Sequence, residues 1–260
     1  AKIAHHVERR AKGLGYNVVF SSSNEDPETE KQLIYSMLNR QVDGLIIAST
    51  QKNQAEIQEL NRAKFPFVLI DRHYPGLATN YVIVDNLRGV ENMVKHLLGL
   101  GRRHVGLVSI ESELDAMLQR RLGYEKALLD AGLKLAPERV KLLDPFNHEL
   151  EMERAVRDTL RGPHAVDALV FTTHYLAASG LRALKALKVR VPDEVAIMSF
   201  DELGAFDLVE PPITANRQPV EEIGRLAVEV LVHEIGGKGA AMDKQRVLPT
   251  QLLIRSSCGA

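Results

Sequence analysis

Short apolar runs alternate with longer amphipathic stretches along almost the whole chain. The runs are "YNVVFSSS", "VDGLIIAS", "FPFVLIDR", "YVIVDN", "HVGLVSI", "RVKLLD", "ALVFTT", "EVAIMSF" and "RVLPTQLLIR". A run such as "VAIMSF" alternates too little for a half-exposed strand and is too short for a helix. Continuous Val/Ile/Leu runs of this kind predict strands covered on both faces. Between them the helical period predicts helices over 28–40, 86–100, 119–131, 148–161, 175–187 and 219–235. Ile3, Ala4, Val7 and Ala11 add a helical face at the start, with Gly13 and Gly15 near its end. Strands and helices in alternation predict an α/β protein with doubly wound parallel sheets.

So many strands in one parallel sheet would make it very wide, so two sheets in two lobes are expected. The polar passages over 108–117, 213–219 and 242–250 are the expected crossings between them. Residues 1–111 with 216–243 would form one lobe, and residues 112–215 with 244–260 the other. Three crossings would make a hinge and a cleft.

In such sheets ligands bind outside the carboxyl ends of the strands. Those ends carry Ser21 to Ser23, Asp71-Arg72, Asp85-Asn86, His174 and Asp201. Each also has a plain structural explanation. Asp85-Asn86 can cap the helix that follows; Asp71-Arg72 can be a local ion pair; His174 can be an ordinary surface residue. The recurrence of polar groups at equivalent strand ends favours a binding role.

Composition narrows the classes. At 260 residues the chain can bury a large core. Its 33 Lys and Arg against 34 Asp and Glu argue against a nucleic-acid surface in this segment, where a basic domain is expected. No apolar run is long enough to span a bilayer. The single cysteine, Cys258, allows neither a disulfide framework nor a thiolate metal cluster and is compatible with a reducing cytoplasm.

The stretches "QVDGLIIAS", "FPFVLIDR", "VDNLRGVENMVKHLLGLGRRHVGLVSI", "RRLGYEKALLDAGL", "VPDEVAIMSFDELGAFDLVEPPITANRQPVEEIGRLAVEVL" and "LPTQLLIRSS" resemble, in order, the effector-binding core of LacI/GalR-type transcriptional regulators. The resemblance implies a two-lobed fold like that of periplasmic sugar-binding proteins, a homodimer, and a small effector in the cleft. It also implies operator DNA as a partner, through an N-terminal helix-turn-helix that would dock in the major groove. That segment and the family's first core strand are not in this sequence, which begins at Ala1, so the chain is expected to be a piece of a longer one.

By the same resemblance, Arg120 of the "RRLGY" element reaches the effector, Asp201 holds it with a carboxylate, and Gln218 of "RQP" lies at a crossover beside it. Asp71 and Asp85 end strands of the first lobe facing the cleft, and Phe146 supplies a stacking aromatic. The family's usual Asn-Asp is His174-Tyr175 here. Leu114, Ala116 and Leu118 stand where some relatives have polar contacts, which implies a less hydroxylated ligand. A sugar or sugar derivative is the expected effector, with a purine as the main exception. An arginine fork and paired carboxylate acceptors suit vicinal hydroxyls or a nucleobase edge.

An exported solute-binding protein of the same fold is the alternative, but the motifs "LIDR", "LGRRHVGLVSI" and "RQPVEEIG" favour the regulator. An enzyme is not expected: G-x-S-x-G, P-loop, G-x-G-x-x-G and H-E-x-x-H patterns are all missing. The adjacent His5 and His6 point apart on a helix, which does not favour a shared metal. No cofactor is expected.

Overall fold

A computed structural model describes residues 2–236 and 243–260. Met242, at the start of the third expected crossing, lies outside the described residues. The chain divides into unit 1, Ala1–Val84 with Pro219–Leu248, and unit 2, Asp85–Gln218 with Pro249–Ala260.

Unit 1 carries a four-stranded parallel sheet in the order β1-β2-β3-β9, made of Leu45–Ile47, Phe67–Ile70, Tyr81–Val84 and Gln245–Leu248. Its helices are α1 (Lys2–Gly13), α2 (Pro27–Asn39), α3 (Gln54–Arg62) and α8 (Val220–Gly236). The two faces of β2 divide by parity. Val68 and Ile70 pack with Ile223, Leu226 and Val230 of α8, while Phe67 and Leu69 pack with Ile34 of α2 and Ile57 and Leu60 of α3. Asp26 starts α2 by accepting from Thr29 N at 2.6 Å, ahead of Pro27 in the first turn. Two ion pairs, Arg9–Glu221 at 2.6 Å and Arg10–Glu229 at 2.8 Å, tie α1 to α8.

Unit 2 carries a six-stranded sheet in the order β10-β8-β7-β6-β4-β5. These strands are Gln251–Leu253, Thr214–Arg217, Ala196–Phe200, Ala168–Phe171, Val105–Ile110 and Val140–Leu143, with β10 alone antiparallel to its neighbour. Its helices are α4 (Asn86–Gly99), α5 (Asp115–Asp130), α6 (His148–Thr159) and α7 (His174–Ala186). The unbroken apolar runs are explained here. On β6, Ala168 and Val170 face the core built with α4 and α5, and Leu169 and Phe171 face the one built with α6 and α7. Two buried faces leave no position for a polar alternation.

Three sequence expectations are corrected. The first crossing falls after Val84 and not after residue 111, because α4 and β4 pack and pair within unit 2. The third falls after Leu248 and not near residue 244, because Gln245–Leu248 pairs with β3 along Tyr81–Val84. The second lies between Gln218 and Pro219, and the "TANR" stretch read as loop is β8, an inner strand. Its polarity misled because Thr214 and Asn216 are buried among partners far along the chain: Thr214 N donates to Ser257 Oγ at 2.8 Å and Thr214 Oγ1 to Arg255 O at 2.8 Å. The "YNVVFSSS" run forms no strand among the described residues, and Val19 and Phe20 are exposed. β-type composition suits a segment to a sheet, but only a neighbouring strand makes it one.

Helices α4 and α5 cross where glycine removes the side chain. A Cβ on Gly123 would stand 2.2 Å from Leu87 O, whereas one on Gly99 meets nothing within 4 Å. Gly123→Ala is therefore expected to cost about 1–3 kcal/mol in urea unfolding. Gly99→Ala is the control and should be neutral or stabilising by about 0.5–1 kcal/mol from helix propensity.

The neighbouring Tyr124 is buried and donates from its hydroxyl to Val105 O at 2.9 Å, tying α5 to β4. Burial pushes its pKa up from 10.0 to about 12. The unfolded chain thus loses this proton first, so the contribution is whole below pH 10 and is lost as pH rises towards 12. Between those limits Tyr124→Phe should show a shallower loss of stability with pH than the parent. An equal slope would contradict the assignment.

Candidate functional site

A buried cation organises the carboxyl ends of the strands in unit 2. Arg120, on α5 after β4, is 3% exposed. Its Nε donates to Asn86 Oδ1 at 2.9 Å, and its Nη1 donates to Thr172 O at 2.6 Å. The guanidinium carbon lies 3.7 Å from the centroid of the Phe200 ring, a cation–π contact. Nη1 also stands 3.7 Å from Asp201 Oδ2. Four elements contribute: α5, the first residue of α4, the end of β6, and the end of β7. A buried charge requires this many partners, since an unpaired one would be far too costly to remove from water.

Asp201 sits directly above this arrangement. It has φ +71°, the left-handed region that Asp tolerates better than most residues. Asp201 N donates to Asn216 O at 3.0 Å on β8, and Ser199 Oγ donates to Asp201 O at 3.0 Å. Gln218, just beyond β8, donates from Nε2 to Asp201 Oδ1. The carboxylate is 22% exposed, so it reaches solvent with one oxygen beside an arginine and the other beside an amide. An ionised carboxylate has about four acceptor positions, so it can take further donors. Behind it, Arg255 Nη2 donates to Glu202 Oε1 and Arg255 Nη1 to Ile213 O at 2.7 Å, which fixes the loop after β7 to the C-terminal segment.

The structure thus brings together Arg120, Asp201 and Gln218 of the expected set. Asp85 belongs to unit 2 and not to the first lobe, and it caps α4: its Oδ1 accepts from Arg88 N at 2.9 Å. His174 opens α7, two residues beyond the Thr172 carbonyl that holds Arg120, with its ring edge-on to Tyr175 at 5.7 Å. Phe146, expected as a stacking aromatic, is 92% exposed in the turn before α6, where its N–H donates to Asp144 Oδ1 at 2.8 Å. The ring therefore stands in solvent. Asp71 belongs to unit 1; it follows β2 with φ +66° and lies 3.6 Å from Arg72 Nε. Arg72 also donates to Glu25 at 2.6 and 3.0 Å and to Ser49 O at 3.0 Å. The local ion pair foreseen for Asp71-Arg72 is therefore present.

Sequence reasoning missed the support of the arginine. Asn86 was named only with Asp85, as a polar group at a strand end or a cap, and Phe200 as one more member of an apolar run. Neither carried a local signal, because both act on a residue remote in the chain. Glu202 and Arg255 were missed for the same reason.

Asn86→Ala should leave Arg120 short of one acceptor in a buried setting. A loss of about 1.5–3 kcal/mol in denaturant unfolding is expected, the range for a hydrogen bond to a charged group. A change under about 0.5 kcal/mol, the level of a surface substitution, would show that the contact does not hold the guanidinium.

Residues 94–258 match the family described as a periplasmic binding protein-like domain. The HTH-type transcriptional regulator PtxS of Pseudomonas aeruginosa is 31% identical over 265 residues, covering 98% of this chain and 73% of that protein. The HTH-type transcriptional regulator DegA of Bacillus subtilis is 26% identical over 259 residues, covering 98% of this chain and 76% of its own length. Among solved structures, a complex of the transcriptional regulator CelR with cellobiose superposes with a TM-score of 0.84 at 27% identity, covering 98% of this chain and 78% of that one.

Proposed function

Because this chain belongs to the LacI family of transcriptional regulators through its periplasmic binding protein-like domain, we propose that its Arg120–Asp201–Gln218 group binds a small effector, a sugar or sugar derivative, and that binding alters affinity for operator DNA. The buried arginine, held by Asn86, Thr172 and Phe200 beneath a solvent-reaching carboxylate, carries this assignment. Its fixed donors and the Asp201 acceptors match paired hydroxyls, which are donors and acceptors at once. The cellobiose bound by one similar regulator supports a saccharide. The relatives named above are regulators and not transport proteins or enzymes, which favours a sensing role over an exported carrier. On this reading the chain acts as a homodimer in the cytoplasm. Among the described residues no helix is long and apolar enough to cross a membrane.

A regulator needs only a differential affinity. An effector shifts two states by as much as it binds one better than the other, and about 1–3 kcal/mol of coupling changes operator affinity some 5–150-fold. The aspartate and arginine supply that differential if their contacts with the effector form in one state alone.

Thermal unfolding with a panel of mono- and disaccharides, cellobiose among them, tests the assignment. A bound sugar at about 100 times its Kd should stabilise the chain by about 2.7 kcal/mol. Asp201→Ala should remove that shift while keeping the folded far-ultraviolet spectrum. Stabilisation that persists in this variant would place the site elsewhere. A shift from purines and none from sugars would replace the saccharide with a nucleobase.

A further inference from the structure

Arg120 and Asp201 lie towards the carboxyl ends of the strands of unit 2, and the amino ends of the same sheet carry another set of cations. His104 directly precedes β4, Arg139 directly precedes β5 and Asp167 directly precedes β6, and these three strands are neighbours. Arg102 and Arg103 come just before His104, and Arg161 lies in the loop that holds His164. Arg103, His104, Arg161 and His164 are exposed.

Two of these arginines are fixed in place by groups without charge. Arg139 Nη2 donates to His104 Nδ1 at 2.8 Å and its Nε to His164 O at 3.2 Å. Arg102 Nη1 donates to Asp167 O at 3.2 Å and its Nη2 to Pro192 O at 2.8 Å. Other held arginines of the protein meet carboxylates, as Arg72 meets Glu25, Arg190 meets Glu194 and Arg255 meets Glu202. The Asp167 carboxylate is engaged by main-chain groups, the N–H of Arg103 at 2.8 Å and of His104 at 3.0 Å. Among the described residues none of Arg102, Arg103, Arg139 and Arg161 forms an ion pair. A guanidinium has more N–H donors than Arg102 and Arg139 use here, arranged in a planar fork that matches a carboxylate.

We infer that this end of unit 2 is a docking surface for a partner protein, met by a short acidic segment whose carboxylates take the remaining donors of Arg102 and Arg139 and the exposed Arg103 and Arg161. Neutral acceptors order a guanidinium and leave its charge uncompensated, so an incoming carboxylate meets a cation that is already placed. Arginine suits this task because its rigid fork can give a carboxylate two parallel bonds. A short segment fits the surface better than a nucleic acid does. Glu138, Asp158, Asp193 and Glu194 flank the arginines along the chain, and the chain as a whole has 33 Lys and Arg against 34 Asp and Glu. A long phosphate backbone would therefore meet carboxylates where it needs cations. The surface is separate from Arg120 and Asp201 and does not depend on which effector they bind.

Fluorescence anisotropy of a labelled peptide of alternating Glu and Gly, titrated with the chain at low salt, tests it. Binding is expected, and it should fade at high salt because exposed charges are screened. Arg103→Glu combined with Arg161→Glu should weaken binding about tenfold or more through like-charge repulsion. Arg139→Lys, which keeps the charge and loses the planar fork, should weaken it about threefold. Arg40→Glu combined with Lys64→Glu, at exposed cations of unit 1, should leave it unchanged. No binding by the parent, unchanged binding in either unit 2 variant, or an equal loss in the unit 1 variant overturns the surface. A single-stranded oligonucleotide of the same charge that binds as tightly as the peptide overturns the assignment of a protein partner.

Discussion

The burial of Arg120 constrains more of this protein than any other single interaction. A guanidinium at 3% exposure cannot be left short of partners, because each hydrogen bond to a buried charged group is worth about 1.5–3 kcal/mol. Its neighbours come from α4, from the end of β6 and from β7, so the demand of one side chain fixes the relative placement of elements that are far apart in sequence. The close crossing at Gly123 belongs to the same arrangement, since it brings α4 near enough for Asn86 to reach the arginine. The cation–π contact adds a constraint on orientation, because the ring accepts a flat guanidinium on its face.

The C-terminal segment completes this frame from the other side. Ser257 Oγ donates to Ile197 O at 2.7 Å and accepts from Thr214 N, bridging β7 and β8. Arg255 holds Glu202 and the Ile213 carbonyl. A polar inner strand is thereby satisfied by residues that arrive last in the chain. The loop carrying Asp201 is clamped between Gln218 and Arg255, which keeps a carboxylate of positive φ in place and ready for an incoming donor.

These features give the sensing role a physical form. In the proposed site Arg120 and Asp201 are held by the protein's own contacts, so binding there would spend little free energy on ordering them. Coupling carried by shared packing is reciprocal: whatever state the effector favours also favours the effector.

The sequence by itself determined the class of fold and the places where chemistry would gather. Apolar runs without alternation meant strands covered on both faces, as β4, β6 and β7 are. The resemblance singled out Asp201, Arg120 and Gln218, and the structure places the three side by side. Tertiary structure decided which sheet each strand joins, and so that the chain first crosses after Val84 and not after residue 111. It decided that "TANR" is an inner strand, that Phe146 faces solvent, and that Asn86 and Phe200 hold the arginine. The reason is that local pattern records how deeply a residue is buried, whereas ladder pairing and a buried charge's partners are set by residues tens to hundreds of positions away.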